Sequence, residues 1–160
     1  MQVNRKQVIG AAAGLVALAA FAPTAYASPA SGLAPTTFAT ANLDHTLNVQ
    51  NGGVSLRTKV ATTARVQEII FAVGASSGWH HHPGVVMVVV AKGSVTVWNA
   101  HCQATTYGVG LPDGAAFFES GDEPNLVTST DGATNYVTYL VPKVDPPVFR
   151  VEDSAPACAL

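Results

Sequence analysis

Three consecutive histidines, His80, His81 and His82, stand between Trp79 and the turn Pro83-Gly84 in a chain that has only five histidines in all. Imidazole ligates metals, moves protons near neutral pH, or ends a strand as a polar group. Successive side chains of a strand point to opposite faces. His80 and His82 therefore share a face, while His81 turns the other way with Trp79, whose role is packing. Two imidazoles at i and i+2 can reach one point above a sheet, which is the start of a metal site. Taken alone, the pair reads first as polar residues at a strand end.

The elements that must position these histidines are short and β-rich, separated by Gly, Pro, Asp and Asn. No stretch has a helical period. Residues 54–60 (VSLRTKV) alternate, with Val54, Leu56 and Thr58 on one side. Residues 66–73 form a strand ending at Gly74, and 78–82 a short one stopped by Pro83-Gly84. Residues 85–90 (VVMVVV) are apolar throughout, which predicts burial on both faces or a barrel wall against a second layer. Residues 91–94 read as a turn and 95–98 as the returning strand, the clearest hairpin in the chain. Further strands are predicted at 105–109, 115–119, 125–128 and 135–141. About ten short strands without a helix define an all-β sandwich or small barrel.

Four segments follow. Residues 1–27 have a basic start at Arg5-Lys6, an apolar run and the small-x-small site Ala25-Tyr26-Ala27, the layout of a signal peptide. The apolar run of about 15 residues is short of the roughly 20 that span a membrane, and a retained anchor is the rival reading. Residues 28–44 are a flexible lead-in or edge segment, 45–142 the barrel, and 143–160 a C-terminal strap. Cutting after Ala27 removes two of the eight basic residues and none of the ten acids, so the net charge falls from −2 to −4. No basic stripe exists to draw in nucleic acid or anionic lipid. The mature chain is thus expected in the periplasm, cell envelope or medium, off the membrane. There Cys102 and Cys158 would form one disulfide between a mid-chain loop and the strap; two unpaired thiols are the alternative.

The pattern Gly74, five residues, His80-x-His82, a gap and Gly93 before a Val-rich strand resembles the first signature motif of the cupins. The motif's Glu slot holds Val86. The second motif is matched from Gly114, with Ser120, Asp122, Asn125 and Ser129 where the family has Pro, Gly, His and Asn. The resemblance spans residues 49–140. With the leader, GWHHHPG, Thr106-Tyr107-Gly108 and the late Cys, the chain is similar to small secreted bacterial cupin-domain proteins. It implies a double-stranded β-helix, a jelly-roll barrel with an interior pocket, and homodimers paired through barrel edges. It also implies a divalent metal such as zinc, iron, manganese or nickel. Of the family's four ligands His80 and His82 remain, with Asn125 a weak substitute for the last His.

Glu119 is the candidate to restore a carboxylate, because it follows Phe117-Phe118 at a strand end. Turned inward, it gives two His and one carboxylate, a set for zinc or non-haem iron. The reading its neighbours favour is a solvated Glu opening the acidic loop 119–123. Asp122 and Glu123 read as loop charges and His101 as a surface residue, and His45 carries no signal. Neither Cys has a His for a nucleophile pair, and no Gly-x-Ser-x-Gly elbow or P-loop occurs. The expected function is a small-molecule pocket lined by Val86, Met87, Phe117 and Phe118, with His80 and His82 as polar handles on a ligand or a loosely held ion. A metal-dependent dioxygenase or isomerase is the alternative, and a structural module with a vestigial site the third.

Overall fold

A computed structural model describes residues 28–119 and 121–159. The leader reading, residues 1–27, lies outside the described residues. Eleven strands follow in order: β1 (Ser31–Leu43), β2 (Asn48–Asn51), β3 (Val54–Arg57), β4 (Thr62–Ser76), β5 (His80–His81), β6 (Val85–Trp98), β7 (Ala104–Gly108), β8 (Ala116–Glu119), β9 (Leu126–Ser129), β10 (Ala133–Pro142) and β11 (Val151–Glu152). A 3₁₀ turn at Ala157–Ala159 ends the described chain.

The main sheet runs β1-β4-β10-β6-β7, all antiparallel, with β8 on β6 and β9 bridging β4 and β6. The circuit β4–β10–β6–β9–β4 closes on itself and makes the barrel. Closure requires the long strands to bend. β6 pairs with β10 and β8 up to Gly93 and with β7 and β9 beyond it.

The hairpin predicted at 91–94 is therefore absent: both halves belong to one strand, and the returning partner is β7. Gly93 is the reason. Its φ of 71° turns the chain without ending the ladder, a bulge-like kink that only glycine adopts freely. A Cβ there would stand 2.1 Å from the Gly132 carbonyl oxygen, so the close approach of β10 also requires glycine.

The apolar run of β6 is buried on one face only. Val86, Val88 and Val90 are 0–3% exposed, while Val85, Met87 and Val89 are 39–45% exposed. The inner three join Phe71, Val137 and Val141 in the core, each such side chain contributing about 1.5–3 kcal/mol by burial. Residues 31–43 are an edge strand along β4 rather than a loose lead-in. Residues 54–57 pair only with β2 and bury neither face, so their alternation marks a surface hairpin.

The strap closes over the histidine segment. β11 pairs with β5, Val151 against His81 and Glu152 against His80. The Asp153 N–H donates to the Trp79 carbonyl, and the Arg150 guanidinium to the Ser77 carbonyl. Cys158 is bonded to Cys102, as the sequence suggested.

Candidate metal centre

His80 lies in β5, His82 just after it and Glu119 at the end of β8, and all three are buried at 3%, 4% and 8% exposure. The segment around His80 is held from both sides, by the Asp153 N–H on the Trp79 carbonyl and by reciprocal N–H···O bonds between His80 and Asn125. Gly78 aims the ring. Its φ is +68°, and a Cβ on it would meet the Ser28 carbonyl oxygen at 2.0 Å. Its own carbonyl accepts from His80 Nδ1 at 2.9 Å and from the Ser77 hydroxyl at 2.9 Å. The Phe149 carbonyl of the strap accepts from His82 Nδ1.

A carbonyl oxygen can only accept, so each Nδ1 carries its ring's proton. The Nε2 lone pairs then face the cavity, the tautomer that a metal-ligating histidine needs. The two Nε2 atoms are 3.1 Å apart, and His82 Nε2 is 2.9 Å from Glu119 Oε2. The three donor atoms lie within 4.8 Å of one another. Burial pushes the His80 pKa down to about 4, against a smaller upward pull from Glu119, so at neutral pH His80 is an uncharged imidazole. Three acceptors thus converge with a proton or a cation required between them. Neighbouring ligands of a first-row ion with bonds of about 2.1 Å stand about 3 Å apart, close to the two short separations of 3.1 and 2.9 Å. The donor set fits a divalent ion.

Tyr139 of β10 stands beside this cluster, its ring 5.5 Å from that of His82. Burial first, and then the Glu119 charge, raise its hydroxyl to about 12, so it stays a proton donor at any physiological pH. The cluster opens into a cavity of about 450 Å³ walled by Phe71, Val88, Phe117, Val137 and Phe149.

The sequence-predicted residues are partly gathered here. His80, His82 and Phe117 line the cavity, and so does Glu119, contrary to its reading as a solvated loop residue. Register with β6 decides this: Val86 pairs with Glu119 and Val88 with Phe117, so Phe117 and Glu119 face in. Glu119 thus places a carboxylate directly across the strand pair from Val86. Phe118 and Met87 face out, 66% and 39% exposed, and are removed from the pocket; Val88 takes the place given to Met87. Val86 is wholly buried in the core. Asn125 meets His80 through its main chain and is not among the residues lining the cavity, and its side-chain Oδ1 is buried with no hydrogen-bond partner among the described residues.

His81 points away, as alternation required, and pairs with Asp153 at 2.8 Å. His45, His101, Asp122 and Glu123 are exposed. Sequence reasoning missed Tyr139, Arg65, Phe149 and Arg150. The alternation of residues 135–141 places Tyr139 on the inner face with Val137, a usable signal; nothing in the strap's sequence announces its carbonyl.

No family model matches the chain, and no curated protein matches it. Solved structures do. The polyketide cyclase RemF from Streptomyces resistomycificus superposes with a TM-score of 0.51 at 16% identity, over 79% of this chain and 76% of the cyclase. A cupin-like protein from Thermotoga maritima gives 0.45 at 17% identity, over 57% of this chain and 65% of that one. A salicylate 1,2-dioxygenase from Pseudaminobacter salicylatoxidans gives 0.46 at 15% identity, over 67% of this chain but only 26% of the dioxygenase. The chain has a cupin-like jelly-roll fold, and the likeness is one of architecture. Among the described residues no helix is long and apolar enough to cross a membrane.

Proposed function

We propose that this chain is an exported cupin-type domain that holds a divalent metal ion on His80, His82 and Glu119 and takes a small organic molecule in the adjoining cavity. One observation carries the reading: both imidazole Nδ1–H groups are engaged by carbonyls, leaving two lone pairs and a carboxylate oxygen to face one another in a buried site. The leader-like first segment and the Cys102–Cys158 bond support export. Zinc, iron, manganese and nickel all suit the donors.

Catalysis is the second reading, and the count of donors favours it. Three protein ligands leave positions open for substrate or water, as in catalytic rather than structural sites. An ion there would act as a Lewis acid on a bound carbonyl or hydroxyl. Tyr139 would hold its proton beside the site and donate a hydrogen bond to a bound oxygen.

Elemental analysis of the purified chain after equilibration with micromolar zinc, iron or manganese tests the proposal. About one ion per chain is expected, lost in His80→Ala/His82→Ala and weakened at least tenfold in Glu119→Gln. A parent chain that binds none of the three ions refutes it. Unchanged affinity in Glu119→Gln removes the carboxylate from the site.

A further inference from the structure

We propose that Arg65 is the anion-binding handle of the cavity, and that the molecule taken up is a small monocarboxylate with an apolar, ring-sized body. The inference deepens the cavity reading above and stands with or without the metal.

The register places one continuous row across the wall. Thr40 of β1 opposes Arg65 of β4, Arg65 opposes Tyr139 of β10, Tyr139 opposes Val86 of β6, and Val86 opposes Glu119 of β8. Residues directly opposite in antiparallel strands project to the same face. Arg65 and Glu119 are thus the two charged members of one row, separated by a tyrosine and a valine. The three strand spacings between them make about 14 Å along the wall. Both line the cavity.

Two guanidinium groups reach this cavity, and they differ in partners. Arg150 is engaged: it holds both carboxylate oxygens of Glu152, at 2.5 and 2.8 Å, and the Ser77 carbonyl at 2.6 Å. Arg65 has no carboxylate within ion-pair distance among the described residues. Its Nε–H donates to the Thr40 hydroxyl at 3.3 Å, and its guanidinium carbon lies 3.5 Å from the centre of the Phe149 ring. Stacking on a ring occupies the face of the guanidinium and leaves its in-plane donors directed outward, the geometry that receives a carboxylate through two parallel hydrogen bonds. Arg65 is half-buried at the cavity wall, and the Glu119 carboxylate is already turned to His82.

The next inward row sets the rest of the molecule. Gln67, Val137, Val88 and Phe117 oppose one another across β4, β10, β6 and β8, and Ile69 and Phe71 follow on β4. The floor is mainly apolar, with Gln67 and the buried Asn135 as its polar, uncharged members, so the row above it supplies the charge and suits a ligand with one charged end. With Arg150 engaged by Glu152 and no lysine lining the cavity, the one guanidinium left for a ligand suits a monoanion rather than a phosphate. The competing role for Arg65 is a brace that fixes Phe149 and nothing more.

Calorimetric titration of zinc-loaded and metal-depleted chain with two matched pairs, benzoate with benzamide and hexanoate with hexanamide, separates the two roles. The parent should bind the acids at least tenfold more tightly than the amides in both metal states. Arg65→Met keeps an apolar chain against Phe149 and should bring the ratio near one; Arg65→Lys keeps the charge but not the fork and should lower it severalfold. Equal affinities within the pairs in the parent, no saturable binding of either acid, or a parent-like ratio in the Lys variant overturns the proposal. So does a Met variant that loses thermal stability yet keeps the ratio, which would make Arg65 the brace. Failure of the metal reading shows separately, as absent zinc, while the acid-to-amide ratio is still read in metal-depleted protein.

Discussion

Acidification of the metal-free protein should destabilise it through His80. An exposed imidazole titrates near 6.5, whereas in the folded chain burial holds His80 down at about 4. The unfolded state therefore takes up a proton at a pH where the folded state refuses it. The stability this histidine allows is full above pH 6.5 and is lost as pH falls toward 4. Integrating between those limits gives a loss of about 2 kcal/mol between pH 7 and pH 5, and about 3 kcal/mol once pH is below 4. Urea unfolding of chelator-treated protein at half-unit steps from pH 7.5 to 4.5, followed by tryptophan fluorescence, measures it. His80→Ala should be less stable at pH 7, because it leaves a cavity, but its stability should fall by about 2 kcal/mol less over the same interval. Parallel curves for parent and variant would refute the reasoning and show that His80 is freely protonated when folded.

Three further outcomes follow from the same geometry. His81→Ala removes a partly exposed pair with Asp153, so it should cost about 1 kcal/mol or less and leave metal content intact, in contrast to His82→Ala. Replacing Cys102 and Cys158 together by Ser opens a link across 56 residues, a loss of about 4 kcal/mol by loop entropy, read from denaturant midpoints. Gly93→Ala forces a Cβ to 2.1 Å from the Gly132 oxygen at a φ of +71°. It should destabilise by about 3 kcal/mol, and a wild-type melting curve would show that β6 does not bend where described.

The histidine pair was legible because a strand's period is two whatever the fold around it, and that alone separates His81 from its neighbours. Glu119 was not, because Phe117-Phe118 puts an aromatic on each parity of β8, and only the pairing with Val86 and Val88 decides which one faces in. Gly93 misled for a similar reason. A hairpin turn and a bulge both ask for positive φ, and the choice between them was made by β10, far along the chain. The strap was the least legible part. Its contribution to the site is a peptide carbonyl and an aromatic ring placed by tertiary contacts, and peptide carbonyls have no sequence signature.

The order of the parts along the chain sets an order of assembly. The strands of the barrel circuit, β4, β6, β9 and β10, all precede Phe149, yet the oxygen that orients His82 belongs to Phe149. A chain cut short after β10 would therefore have its walls and both imidazoles but one loose ring. The cluster is finished by a segment made after the barrel strands, so a nascent chain has both imidazoles in place before the carbonyl that orients His82.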